Sequence, residues 1–221
     1  MKKYFLISLF VGVTCNLYCQ DYLNVFKEMR DHNVETDSFC INMKIRSYRQ
    51  WNDTLPFSSQ TILISRKNNT FRYDYEKYVV IITKNEQVLV NKELKNIVIS
   101  KRKKEKHLSI MPIDSINSKY DSIVSEVDNN GSYHIRMFCR SRMDVQSDLY
   151  VSEDFKLQRI EIYYNTTSDI TNKKLIIDYL KWDSTPVLSN QLFDIKSIVI
   201  KSGDKFIPVE QYKQYQVFNY L

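Results

Sequence analysis

Residues 57–101 read FSSQTILISRKNNTFRYDYEKYVVIITKNEQVLVNKELKNIVISK, and this stretch decides the fold. Five runs rich in β-branched and aromatic residues, Phe57–Arg66, Thr70–Tyr75, Tyr78–Thr83, Gln87–Asn91 and Asn96–Lys101, are set apart by short polar breaks. The breaks are Lys67-Asn68-Asn69, Glu76-Lys77, Lys84-Asn85-Glu86 and Glu93–Lys95. Short runs of this composition, recurring about every 8 to 12 residues with turn-forming residues between them, describe a meander of antiparallel hairpins. Upstream, Cys40–Arg49 alternates Ile41, Met43, Ile45 and Ser47 with Asn42, Lys44, Arg46 and Tyr48, the period of a strand, and Asn52-Asp53-Thr54 reads as a turn. Downstream, strands are expected at Tyr133–Cys139, Leu149–Ser152, Leu157–Tyr164 and Leu175–Trp182. Leu192–Ile200 and Phe206–Tyr220 are strand-like too, joined by a turn at Gly203-Asp204.

Composition agrees. Among 221 residues there is no alanine, while isoleucine occurs 23 times and tyrosine 16 times. That balance favours pleated sheet over a helix bundle. Three glycines are too few for phosphate-cradling loops or a doubly wound nucleotide fold. At 43% hydrophobic and 26% charged, the chain fits neither disorder nor a polytopic membrane protein.

Two helices are expected. Asp21 can cap one over Tyr22–His32, with Tyr22, Val25, Phe26 and Met29 on one stripe. Pro112 can open the other, along Ile113, Ile116, Tyr120, Ile123, Val124 and Val127, ended by Asn129-Asn130-Gly131. The fold class is therefore mainly β with two helices.

Residues 1–19 read as an export signal: Lys2 and Lys3 precede an apolar run from Tyr4 to Val13 that is too short to cross a bilayer. Cleavage between Cys19 and Gln20 leaves residues 20–221 as a single exported domain with 30 basic and 26 acidic residues, hence a net charge of +4. Lipid attachment at Cys15 or Cys19 is the other outcome, although neither cysteine has the usual Leu three positions before it. Cys40 and Cys139 remain in an oxidising compartment, either as a disulfide or as two buried thiols.

Catalytic signatures are missing. His32, His107 and His134 stand far apart, with no ligand at metal spacing, and no nucleophile elbow, Walker pattern or dinucleotide fingerprint occurs. No cofactor, metal or catalytic residue is expected. The densest charge is Lys101, Arg102, Lys103, Lys104 and Lys106 at a strand end, which suits either a membrane surface with anionic headgroups or a solvated hairpin tip. Nucleic acid is not an expected partner, since the aromatics do not gather beside this cluster.

Two stretches resemble the periplasmic outer-membrane lipoprotein carrier family (LolA-like proteins and their LolB-like relatives). Arg66–Lys101 is similar to that family's basic turn, Phe-Arg-aromatic strand, hydrophobic strand and short closing strand; here these are Arg66–Tyr75, Val79–Asn91 and Lys95–Ser100. Leu149–Phe193 resembles its paired late strands, and the expected helix Ile113–Val127 falls where such proteins carry a lid. The family's turn glycine is replaced by Asn85-Glu86, and Gly203–Leu221 has no counterpart. The resemblance implies a curved antiparallel sheet, a half-open β-barrel with a helical lid, whose apolar interior holds lipid or lipoprotein acyl chains. Candidate lining residues are Ile62, Ile64, Phe71, Tyr73, Val79, Ile81, Ile116, Ile123, Ile160 and Ile162; the other reading of these residues is a dry core. The expected function is a non-enzymatic periplasmic carrier. Its rival is a structural or accessory subunit of an envelope or secretion assembly, with envelope proteins as partners.

Overall fold

The structure, a computed structural model, describes residues 22–31, 37–102, 120–139, 144–165, 171–203 and 205–221. The expected leader (residues 1–19), Lys103, Lys104, Lys106 and Ile116 lie outside them. The helix α1 spans residues 22–31. The stripe of Tyr22, Val25, Phe26 and Met29 is buried, with each residue at most 9% exposed.

Strands account for most of the rest: β1 (Ser38–Tyr48), β2 (Ser58–Lys67), β3 (Thr70–Tyr75), β4 (Tyr78–Ile82), β5 (Glu86–Asn91), β6 (Asn96–Lys101), β7 (Ser122–Val127), β8 (Tyr133–Phe138), β9 (Asp144–Val151), β10 (Leu157–Tyr164), β11 (Lys174–Asp183), β12 (Val199–Ser202), β13 (Lys205–Pro208) and β14 (Gln216–Tyr220). Twelve of them are hydrogen-bonded in the order β14-β6-β5-β4-β3-β2-β1-β11-β10-β9-β8-β7, and β12 pairs with β13 alone. This order has two ends, so the sheet is open. It is also not wholly antiparallel, because β14 lies parallel to β6.

The meander expected over residues 57–101 is present as β2 to β6. Asn68 takes φ of 53° in the β2–β3 turn, a left-handed conformation that asparagine tolerates better than most residues. The second expected helix is corrected: Ser122–Val127, its last turn and a half, is the strand β7. Ile123, Val124 and Val127 are β-branched, and Ile123, Ser125 and Val127 also satisfy a period of two, so the run fits either geometry and pairing with β8 decides it. Asn129-Asn130-Gly131 then closes a hairpin instead of capping a helix. Asp128 Oδ1 accepts from the backbone N–H groups of Asn130 and Ser132 at 2.8 and 2.9 Å, and Gly131 takes φ of 79°.

The chain groups into two compact units, with β1 and β11 each contributing to both. One unit holds α1, residues 45–48 of β1, β7 to β10 and the first half of β11. The other holds the start of β1, nearly all of β2, β3 to β6, the end of β11 and the C-terminal elements. Within the second unit the stretch Leu192–Ile200, expected as a strand, is mostly two short 3-10 turns at Asn190–Phe193 and Ile195–Ser197. Ser189 and Asp194 cap them, each side-chain oxygen accepting a backbone N–H two residues ahead.

Candidate functional site

The registers of β2 to β6 and β14 sort every side chain onto one of two faces. On the first face a central row crosses six strands: Ile64, Tyr73, Val80, Leu89, Val98 and Phe218 are successive cross-strand partners. All six are partly buried. With neighbouring strands about 4.8 Å apart, this apolar row runs roughly 24 Å across the sheet. On one side it is flanked by Arg66, Phe71, Ile82, Gln87, Ser100 and Tyr220. On the other side the flanking row is Ile62, Tyr75, Tyr78, Asn91, Asn96 and Gln216.

The opposite face is filled along β4 to β6, while on β2 it leaves Leu63 exposed. Val79, Ile81, Val88, Val90, Ile97 and Ile99 are 0–3% exposed and cluster with Ile198 and Val199. Ile195, Phe206, Tyr212, Tyr215 and Val217 pack on that cluster. Polar ties hold the C-terminal segment down. Arg72 pairs with Asp74 through two contacts of 2.7 and 2.8 Å and donates from Nη1 to the Leu192 carbonyl at 3.0 Å. Lys67 Nζ donates to the Leu188 carbonyl at 2.9 Å. Burial raises the Tyr212 phenol above its ordinary range.

Arg66 stands at one corner of the first face. Its guanidinium carbon is 5.5 Å from the Phe71 ring centre and 5.9 Å from that of Phe39 on β1, and Phe39 in turn lies 6.1 Å from Trp182. Its Nε donates to the Asn68 carbonyl at 2.8 Å. Tyr75, in the far row, is raised above the usual phenol range by burial.

The expected lining residues thus separate. Ile62, Ile64, Phe71 and Tyr73 share the first face. Val79 and Ile81 do not: one residue of offset along β4 turns them to the filled face, which corrects their assignment to the same lining. Ile123, Ile160 and Ile162 belong to the other unit. There Ile123, Met137, Ser147 and Ile162 form one cross-strand row, and Ser125, Ile135, Leu149 and Ile160 the next. Ile135, Met137, Leu149 and Val151 are 0–4% exposed on that face, while Ile123, Ile160 and Ile162 are partly buried. Of the basic cluster, Lys101 is exposed, and Arg102 donates from Nη1 to the Thr83 carbonyl at 3.1 Å, so it clasps the β4–β5 turn.

The other face of β7 to β11 carries a charged network that the sequence reading passed over. Asp178 receives Arg46 Nη2 at 2.6 Å and Arg159 Nε at 2.7 Å, and the Tyr163 hydroxyl donates to Glu161 at 2.7 Å. Asp148, only 5% exposed, accepts from Gln146 Nε2 at 2.8 Å and lies 3.5 Å from His134 Nε2. The His134 ring stacks on Tyr150 at 4.5 Å. Burial and the neighbouring carboxylates of Glu161 and Asp148 raise the Tyr150 phenol. The signal was available: polar residues two apart at His134 and Arg136, Gln146 and Asp148, Arg159 and Glu161 mark one face of three adjacent strands. Opposite charges pair within this network, although the buried Arg46 Nε and His134 Nε2 have no hydrogen-bond partner among the described residues.

Cys40 and Cys139 are thiols and not a bridged pair. Cys40 Sγ is turned toward Ser65 Oγ, 3.7 Å away, and Cys139 is buried. Among the described residues no three His, Cys, Asp or Glu side chains converge as metal ligands, and no helix is long and apolar enough to cross a membrane.

Solved structures resemble this chain along most of its length. An uncharacterised conserved protein from Thermus thermophilus matches at a TM-score of 0.50 and 10% identity, over 90% of this chain and 99% of its own. A LolA superfamily protein from Nitrosomonas europaea matches at 0.38 and 11%, over 79% and 98% of the two chains. A DUF1329 family protein from Desulfovibrio piger matches at 0.39 and 10%, over 81% and 98%. At these identities the likeness is one of fold. No family model and no curated protein matches the sequence.

Proposed function

We propose that the protein is a non-enzymatic, exported lipid binder of the lipoprotein-carrier kind, working in the periplasm and holding acyl chains against the first face of β2 to β6 and β14. One observation carries the reading. The central row Ile64–Tyr73–Val80–Leu89–Val98–Phe218 is apolar across six strands yet only partly buried, while the reverse face of β4 to β6 is sealed by the chain's own C-terminal segment. Each methylene removed from water on such a surface contributes about 0.8 kcal/mol, so a single long chain lying along the row gains enough for stable binding without any covalent step. The likeness of the early and late strands to lipoprotein carriers supports the same class of cargo, and the expected leader would deliver the protein to the compartment where such cargo travels.

The test is mass spectrometry of lipids that co-purify with the mature protein extracted without detergent. Stoichiometric acyl-chain species are expected. A lipid-free protein that also fails to take up a fluorescent fatty acid would refute the carrier and favour a structural subunit of an envelope assembly.

A further inference from the structure

We propose that Arg66 makes the apolar face selective for single-chain amphiphiles with an anionic head, such as a fatty-acid carboxylate, with the head at Arg66 and the chain along the central row; this rests on the lipid-binding reading above. Of the side chains that the registers of β2 to β6 and β14 place on that face, Arg66 is the one charged group. Glu86, Asp74, Arg72, Lys67 and Lys101 all fall on the reverse face. The other partly buried arginines on strands are neutralised: Arg46 and Arg159 by Asp178, Arg72 by Asp74, Arg136 near Asp148. Arg66 has no carboxylate partner among the described residues.

The guanidinium is also held in place. Phe39 and Phe71 flank it at 5.9 and 5.5 Å, geometry that favours a cation over aromatic faces and fixes its plane. One of its five N–H donors is spent on the Asn68 carbonyl, which clamps the β2–β3 turn. The remaining donors form the fork that receives a carboxylate or phosphate in two-pronged fashion. Ile64, two residues back on the same strand and the same face, begins the apolar row, so head site and chain site are contiguous. A cation left half-buried without a counter-ion is costly, and an anionic head supplies that counter-ion.

The experiment is isothermal titration of the delipidated mature protein with myristate, with myristyl alcohol and with myristylamine, repeated for Arg66→Gln and Arg66→Lys. Wild type is expected to bind the acid at least about tenfold more tightly than the alcohol, and the amine most weakly. Arg66→Gln should abolish the preference while keeping the affinity for the alcohol and the urea midpoint. Equal binding of acid and alcohol by wild type overturns this inference and leaves the lipid reading standing. A preference that persists in Arg66→Gln overturns the assignment to this side chain. If Arg66→Gln binds neither ligand, Arg66→Lys decides: recovered acid preference supports the head site, and no recovery overturns it. Binding of none of the three by wild type overturns both readings together.

Discussion

Val79 and Val80 are consecutive residues of β4 with the same side chain, one on each face, and they make a matched pair for asking which face is closed. Val79 is 3% exposed inside the cluster with Ile198 and Val199. Val80 is partly buried between Tyr73 and Leu89 in the apolar row. Exchange for threonine keeps the β-branched shape and swaps one methyl for a hydroxyl. At position 79 the change loses the transfer energy of a methyl, about 1 kcal/mol, and buries a hydroxyl, about 1–3 kcal/mol more where its cross-strand neighbour Asp74, already engaged by Arg72, does not accept from it. The total of about 2–4 kcal/mol corresponds to a fall in Tm of at least about 4 °C for a chain of this length. At position 80 water can still reach the hydroxyl, so Val80→Thr should cost under about 1 kcal/mol. It should, however, weaken fatty-acid uptake up to about fourfold, a loss that Val79→Thr should not show. Urea unfolding followed by circular dichroism on lipid-free mature protein measures the first contrast, and displacement of a fluorescent fatty acid the second. Equal destabilisation by more than about 2 kcal/mol at both positions would mean that the row is covered and dry, and the carrier reading would fall with it.

Removing the carboxylate in Asp74→Ala strands the partly buried Arg72 and loosens its hold on the Leu192 carbonyl; a loss of about 1–3 kcal/mol and faster amide exchange over residues 190–198 are expected, and unchanged exchange there would refute the tie. The phenols of Tyr75, Tyr150, Tyr164 and Tyr212 are raised by burial, and burial pushes Tyr179 up to about 12. A raised folded-state pKa means that the folded chain holds the proton more tightly, so stability is intact below pH 10 and lost as pH climbs from about 10 to 12. Phenolate absorbance and circular dichroism should change together in that window, and ordinary titration near 10 without unfolding would count against it. Replacing Lys101, Lys103, Lys104 and Lys106 by Ser should remove most flotation with anionic vesicles at low salt, at about 1 kcal/mol per lysine; equal flotation of both proteins would return the cluster to a solvated tip. N-terminal sequencing of the exported protein should begin at Gln20, and a start at Cys15 or Cys19 carrying diacylglycerol would make it a lipoprotein.

The fold was legible where local chemistry suffices. The polar breaks Lys67-Asn68-Asn69, Glu76-Lys77, Lys84-Asn85-Glu86 and Glu93–Lys95, and the β-branched runs between them, fix β2 to β6 with little help from distant residues. The stripe Tyr22, Val25, Phe26 and Met29 announced α1 in the same way. Reading failed where one string serves two periods. Ser122–Val127 satisfies both a helical stripe and strand alternation, and only the neighbouring β8 resolves it. It failed again at Leu192–Ile200, where Ser189 and Asp194 bend the backbone into capped turns that apolar content does not reveal. The start of β9 was missed because Asp144, Gln146 and Asp148 are polar on a face that is charged throughout.

The candidate site was half legible for a related reason. Val79–Ile82, Val88–Val90 and Ile97–Ile99 are apolar at every position, the mark of strands buried on both sides. Such a run says that both faces meet something apolar, and it cannot say which is met by the protein itself. That answer is carried by residues about a hundred positions away, Ile195, Ile198, Val199 and Phe206, which pack on the face of Val79 and Ile81 and not on that of Ile64 and Tyr73. Arg66 was hidden likewise. Within Ser65-Arg66-Lys67 it reads as turn polarity, and only the pairing of Arg66 with Phe71 and of Ile64 with Tyr73 reveals a lone cation at the end of an apolar track. Its contacts with Phe39, Phe71 and the Asn68 carbonyl serve the fold, and the want of a carboxylate beside it among the described residues is what the proposed anionic head would answer.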